Sequence, residues 1–167
     1  MIYQTSYDSP VGRLVLAEKE GALVGLWTEG QKYFLSSVKE EMEENKESVV
    51  LKQTIAWLER YFKKERPQIK ELPLAPAGSA FRRDVWEMLC EIPYGETTTY
   101  GELARKIAKK RGIKMMSAQA IGGAVGHNPI SIVIPCHRVI GSDGGLTGYA
   151  GGIEKKRMLL TLEGVIV

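Results

Sequence analysis

The stretch Leu72-Pro73-Leu74-Ala75-Pro76-Ala77-Gly78-Ser79 constrains the fold of this 167-residue chain more than any other feature. Each proline fixes φ and lacks a backbone donor, and the glycine breaks any period, so neither a helix nor a central strand can run through it. The chain is therefore expected to divide here, into an N-terminal domain over 1–73 and a C-terminal domain over 78–167. With 44% hydrophobic and 26% charged residues, the chain has ordinary globular composition, which argues against disorder.

The two halves differ in texture. Residues 2 to 28 read as strands: Leu14-Val15-Leu16 and Leu23-Val24-Gly25-Leu26-Trp27 are short apolar runs separated by charges and Gly21, as in a hairpin. A helix is expected over 33–44. Another is expected over 50–62, where Leu51, Ile55, Leu58 and Phe62 recur at spacings of three and four, and Pro67 prevents it from continuing far. The first half is thus an α/β domain, a small sheet with helices.

Past the linker the pattern is mainly helical. Ser79 is placed to cap a helix with Phe81, Val85, Met88, Leu89 and Ile92 on its apolar face, and Pro93-Tyr94-Gly95 turns the chain. Thr99 and Glu102 have capping-box spacing ahead of Leu103, Ala104, Ile107 and Ala108. Ser117 then caps a segment rich in alanine and glycine. Helix, turn, helix, a strand at Ile132-Val133-Ile134 and a hairpin at Ser142-Asp143-Gly144-Gly145 make a winged helix-turn-helix-like unit, closed by a helix from about Gly152 to Leu162.

Charge and cysteine content narrow the chemistry. The net charge is only +3, but residues 40–47 are acidic and 105–114 strongly basic, so an anionic partner would bind the C-terminal half, unless the run is merely a solvated helix end. No apolar run reaches the roughly 20 residues of a bilayer span, and Met1–Thr5 does not open a secretory signal. A cytoplasmic protein is expected. Cys90 and Cys136 are the only cysteines and no Cys-x-x-Cys pair occurs, so neither a zinc site nor a disulfide is expected. No metal and no cofactor is expected.

Cys136 stands directly after the apolar run and Pro135, with His137 and Arg138 following. Only a thiolate is a useful nucleophile, and a histidine can take the proton directly or through a water. The histidine then needs a carboxylate or carbonyl to fix its tautomer, Glu163 being one candidate. Adjacency alone favours a packed core thiol over a nucleophile. The segment 117–126 is also unusual, because each helical glycine costs roughly 1 kcal/mol relative to alanine. Small residues there suit either tight core packing or close approach to an outside surface.

The series Ile134-Pro135-Cys136-His137-Arg138-Val139 resembles the active-site signature of the O6-alkylguanine-DNA alkyltransferases. Phe81-Arg82-Arg83-Asp84-Val85-Trp86, Ile92-Pro93-Tyr94-Gly95-Glu96-Thr97 with Tyr100, Gly122-Gly123-Ala124 through Asn128-Pro129, Gly148-Tyr149-Ala150-Gly151-Gly152 and Glu163-Gly164 extend the likeness over residues 78–164. The resemblance implies a ribonuclease-H-like N-terminal domain and a DNA repair protein. In it, Cys136 accepts the alkyl group from O6-alkylguanine, with O4-alkylthymine as a second candidate, once and irreversibly, after the base is flipped from duplex DNA. It further implies a relay of Glu163, His137 and a water to Cys136, a leaving-group contact from Tyr100, and a turn braced by Asn128. Val125, Val139, Tyr149, Ala150 and Gly151 would shape the pocket. Ser117, Ala118, Gln119, Gly122, Gly123 and Arg138 would meet DNA, and the protein would act as a monomer. Gln119 stands where many members have an arginine that enters the base stack, and Ala150 where some have serine. A non-repairing damage sensor, a cysteine hydrolase and a plain DNA-binding module are the alternatives.

Overall fold

The computed structural model describes residues 1–167. They form two units, Met1–Ala77 with Pro129–Val133, and Gly78–Asn128 with Ile134–Val167. The division at Ala77 falls inside the proline–glycine stretch, while the return of 129–133 to the first unit has no sign in the sequence.

In the first unit β1 (Ile2–Ser9), β2 (Gly12–Lys19) and β3 (Ala22–Thr28) form an antiparallel meander. β4 (Met42–Glu44) adds parallel to β1, giving the order β3-β2-β1-β4. Successive side chains of a strand face opposite ways, yet Leu14, Val15, Leu16 and Ala17 are all buried, so both faces of the sheet are covered. Val15, Ala17, Ile2 and Trp27 form a cluster with Phe34, Leu35, Val38 and Met42. The helix α1 (Val49–Phe62) packs on β1, β2 and β3. Ser48 caps it, accepting from the Leu51 amide and donating to the buried Glu18 carboxylate at 3.2 Å.

Two expectations in this unit fail. Residues 33–44 are not helical. They run through successive i→i+3 turns, with Tyr33 and Leu35 at φ 62°, before β4. The apolar positions 34, 35, 38 and 42 do have helical spacing, but they serve to carry side chains onto the Trp27 face of the sheet. Tertiary packing has overridden the local period. Ile132-Val133-Ile134 is likewise not a strand. Only Ile130 bridges β3, where Leu26 donates to Pro129 O at 2.8 Å and accepts from the Ser131 amide at 2.9 Å. A second bridge, Leu23 to Leu74, covers the same outer edge of β3.

The second unit contains α2 (Ala80–Leu89), β5 (Thr98–Thr99), α3 (Tyr100–Arg111), α4 (Ala118–Gly126), β6 (Val139–Ile140) and α5 (Ile153–Leu162). Ser79, Thr99 and Ser117 cap α2, α3 and α4 through their hydroxyls, as their positions predict. Only half of the capping box at α3 forms, because Glu102 accepts from the Thr98 hydroxyl at 2.9 Å instead of returning to its cap. Trp86, absent from the expected apolar face of α2, is buried and donates its indole N–H to Ala124 O of α4 at 2.9 Å. The segment 142–145 is a turn closed by Gly141 N to Gly145 O, but no strand follows it, and β6, which precedes it, pairs parallel with β5 instead of forming a hairpin.

Candidate active site

The backbone around Cys136 is built from two three-residue turns. Val133 N donates to Ser131 O at 2.7 Å across Ile132, which is held at φ 70°. A β-branched residue there is strained, by on the order of 1–3 kcal/mol. Cys136 N then donates to Ile134 O at 2.8 Å across Pro135, whose φ of −81° and ψ of 64° are those of an inverse γ-turn. Proline is preset for that φ. A single 3-10 turn, Cys136–Arg138, follows, and the Val139 amide caps it on Cys136 O.

Asn128 ties the loop together. Its side-chain amide donates to Ile134 O at 2.8 Å and also hydrogen-bonds Cys136. Cys136 is buried. Burial pushes its thiol pKa up, and the Asn128 hydrogen bond and the positive charge of Lys156 only partly offset this. The resting group is therefore a thiol, which would have to lose its proton before it could act as a nucleophile.

The residue next in the chain is a histidine. His137 is wholly buried, and its Nε2 lies 2.6 Å from Glu163 Oε2. Glu163 is ionised. Burial pushes its carboxyl up, but the hydrogen bonds and charges of His137 and Arg138 outweigh this and hold it well below the usual carboxylate range. An ionised carboxylate only accepts, so Nε2 carries the hydrogen and Nδ1 of the neutral ring is a bare lone pair. Nδ1 is buried and has no hydrogen-bond partner in the protein. Burial pulls the His137 pKa down despite Glu163, which favours this neutral form.

Arg138 and Gly95 complete the carboxylate's surroundings. Arg138 Nε donates to Glu163 Oε1 at 2.8 Å, Nη2 to Oε2 at 3.1 Å and Nη1 to Ile92 O at 2.7 Å. Its side chain is 6% exposed and its guanidinium lies 5.7 Å from the Tyr94 ring centroid. The expectation that Arg138 meets DNA is therefore corrected: its fork is spent on Glu163 and on the carbonyl of Ile92. Gly95 donates its amide to Glu163 Oε1 at 3.0 Å from a turn with φ 82°. A Cβ there would stand 3.1 Å from the Glu163 carbonyl, so glycine is required twice over.

Lys156 was not foreseen. It is fully buried in α5, donating to Thr147 O at 2.9 Å and Gly148 O at 3.3 Å. Burial lowers its pKa to about 8, against an opposing pull from Cys136. In the sequence it hides in the charged run Glu154-Lys155-Lys156-Arg157. Its spacing of three, four and seven to Leu159, Leu160 and Glu163 was the available signal that it shares their buried face. Tyr100 donates its hydroxyl to the same Thr147 O at 3.2 Å, so Tyr100 and Lys156 converge on the loop that runs into Tyr149, Ala150 and Gly151. These three residues are half-buried, Val125 and Val139 buried.

On α4 the small residues face outward. Ser117, Ala118, Gln119 and Gly123 are exposed, and a Cβ built at Gly122, Gly123 or Gly126 meets nothing within 4 Å. Core packing, one of the two readings of this segment, does not require these glycines.

A helix-turn-helix unit with an open small-residue face, joined to a buried cysteine and a histidine–glutamate pair, defines a cysteine nucleophile carried on a nucleic-acid-binding scaffold. Comparison with known families identifies which one. Residues 80–165 match the 6-O-methylguanine DNA methyltransferase DNA-binding domain and residues 2–76 the ribonuclease-like domain of the same proteins. The chain belongs to the 6-O-methylguanine DNA methyltransferase family. It is 42% identical over 162 residues to a methylated-DNA–protein-cysteine methyltransferase of Haemophilus influenzae, covering 97% of this chain and 86% of that one. It is 44% identical to the protein of that name from Methanosarcina barkeri, covering 97% of each. The crystal structure of Mycobacterium tuberculosis OGT in complex with DNA superposes with a TM-score of 0.84 at 38% identity, over 96% of this chain and 92% of that chain.

Proposed function

We propose that this protein repairs DNA by transferring the alkyl group of O6-alkylguanine to Cys136, each molecule reacting once. The observation that carries this reading is the tautomer imposed on His137, with Nε2 held by Glu163 and Nδ1 left as a buried acceptor next to the cysteine in the chain. Nδ1 takes the thiol proton, through a water, as sulfur attacks the alkyl carbon. The S–C bond forms, the C–O6 bond breaks, and the electron pair leaves on guanine, which takes a ring proton from solvent as the restored base while His137 gives the thiol proton up to solvent. Arg138 and Gly95 keep Glu163 ionised, so the carboxylate stabilises the imidazolium formed on the way. Lys156 and Asn128 stabilise the developing thiolate. Tyr100, once released from Thr147 O, would support the departing guanine, with Val125, Val139, Tyr149, Ala150 and Gly151 around it. No cofactor is needed, since sulfur is the acceptor. A thioether is not readily hydrolysed, which separates this reaction from that of a cysteine hydrolase. A monomer acting in the cytoplasm on double-stranded DNA fits this scheme, and no helix is long and apolar enough to cross a membrane.

The pH dependence of single-turnover transfer tests the scheme. His137 must be neutral, and its pKa lies below the ordinary 6.5, so the rate should rise with pH through that region. It should level off once His137 is neutral and fall again above about pH 8, where Lys156 loses its proton. Lys156→Met should lower the rate and remove that fall. An unchanged profile in the variant would exclude Lys156 from the chemistry.

Target bases inside a duplex cannot reach a buried sulfur, so the base must leave the stack, at a cost of a few kcal/mol. The open face of α4, Ser117, Ala118, Gln119, Gly122 and Gly123, is the surface proposed to enter the minor groove. Gly123→Ala separates stability from function. Helix propensity predicts a gain of up to about 1 kcal/mol in stability, because the added methyl meets open space. Duplex binding should nevertheless weaken. Tighter binding by the stabilised variant would argue against α4 as the contact surface.

A further inference from the structure

Resting on that DNA reading, we infer that the groove beside α3 and the α3–α4 loop seats the sugar-phosphate backbone of the duplex, with Arg105, Lys109 and Lys114 binding its phosphates. The groove has a volume of about 490 Å³. It begins at Gly101, the residue after Tyr100, and ends at Ala118, the residue before Gln119. It therefore joins the two sequence positions at which the proposed pocket and the proposed minor-groove helix begin.

The charges of this region are sorted in a telling way. Of the basic run 105–114, Lys110 pairs with Asp84 at 3.3 Å and Glu87 at 3.4 Å, and Arg111 pairs with Asp84 at 2.8 Å while lying over the Phe81 ring. Those two cations are neutralised within the fold and also complement the C-terminal dipole of α3. Arg105, Lys106, Lys109 and Lys114 have no acidic partner and are exposed; Arg105, Lys109 and Lys114 line the groove and Lys106 does not. Arg105 curls back towards the start of α3, its Nη1 lying 3.6 Å from where a Cβ of Gly101 would be. A side chain at 101 would crowd that guanidinium.

The rest of the lining is apolar, and Met115 is 82% exposed. A solvated helix end gives no reason to display a large apolar side chain among three unpaired cations. A DNA strand does, because it presents anionic phosphates alternating with apolar deoxyribose faces. Contacts of this kind hold register on the duplex and carry no sequence information, which suits a protein that must find damage in any sequence context.

The test is the salt dependence of binding. The full-length triple variant Arg105→Gln/Lys109→Gln/Lys114→Gln is titrated with an undamaged duplex and with the same duplex carrying one O6-methylguanine, between 50 and 200 mM salt. Each lost phosphate contact lowers the slope of log K against log[salt] by about 0.9, so the slope should become shallower by about 2 to 3 on both duplexes. Lys110→Gln/Arg111→Gln, which removes only paired cations, should move it much less. In single-turnover transfer the loss should appear in the half-saturating duplex concentration and not in the limiting rate. An unchanged slope with a retained fold, or an equal effect of the Lys110/Arg111 control, overturns the assignment. If the slope falls as expected but the wild-type protein transfers no alkyl group, the groove stands and the repair reading fails.

Discussion

Glu163→Gln is expected to lower stability by about 3–5 kcal/mol, because it leaves the Arg138 guanidinium buried without a counter-charge. The side chains of Glu163 and Arg138 are 0% and 6% exposed, so water cannot replace the lost partner. The neutral amide also gives one side-chain oxygen where the carboxylate gives two, and those two now take four hydrogen bonds, from His137, Gly95 and twice from Arg138. Chemical denaturation of both proteins at pH 7 measures the difference. The sign of its pH dependence is fixed as well. The folded pKa of Glu163 lies below its unfolded value, which is about 4.3, so its contribution is complete above that value and is lost as pH falls towards the folded pKa. The gap between wild type and variant should therefore be widest at neutral pH and narrow below about pH 4. A gap that widens on acidification would contradict an ionised Glu163.

His137→Gln is expected to slow alkyl transfer by about 10²- to 10⁴-fold, the usual range for losing a positioned general base. Glutamine can still donate to Glu163 and fills much of the same space, so the fold should persist. What it lacks is the bare nitrogen opposite that bond. Cys136 would then keep its proton, since burial has already pushed its pKa above the ordinary value. The residual rate should climb with pH as hydroxide or buffer replaces the base, and the acid limb assigned to His137 should vanish. Single-turnover kinetics at saturating duplex check both points. A variant within a factor of three of wild type would remove His137 from the mechanism.

Much of this fold was legible because its signals are local. Ser79, Thr99 and Ser117 cap helices where their spacing says, and the short apolar runs 14–16 and 23–27 fall in β2 and β3. What was not legible depends on distant partners. The helical period at 34, 35, 38 and 42 is satisfied by a run of turns, because the sheet face around Trp27 has to be covered. The β-branched run at 132–134 suggested a strand, yet Ile132 is held at φ 70° at the centre of a tight turn. In the site, Cys136, His137 and Glu163 follow from the resemblance, and the roles of Arg138 and Lys156 do not. An arginine beside a basic motif reads as a DNA contact until Glu163 is seen to occupy it. A lysine inside a charged run reads as solvent-facing until the helix that carries Leu159, Leu160 and Glu163 is seen to turn it inward.

The central claim is tested most directly by weighing the Cys136 peptide after incubation with a short duplex carrying one O6-methylguanine. A gain of one methylene on that peptide, equal in amount to the guanine restored and absent in Cys136→Ser, is the expected result. Restored guanine without a mass change at Cys136, or more guanine restored than protein present, would contradict transfer to this residue.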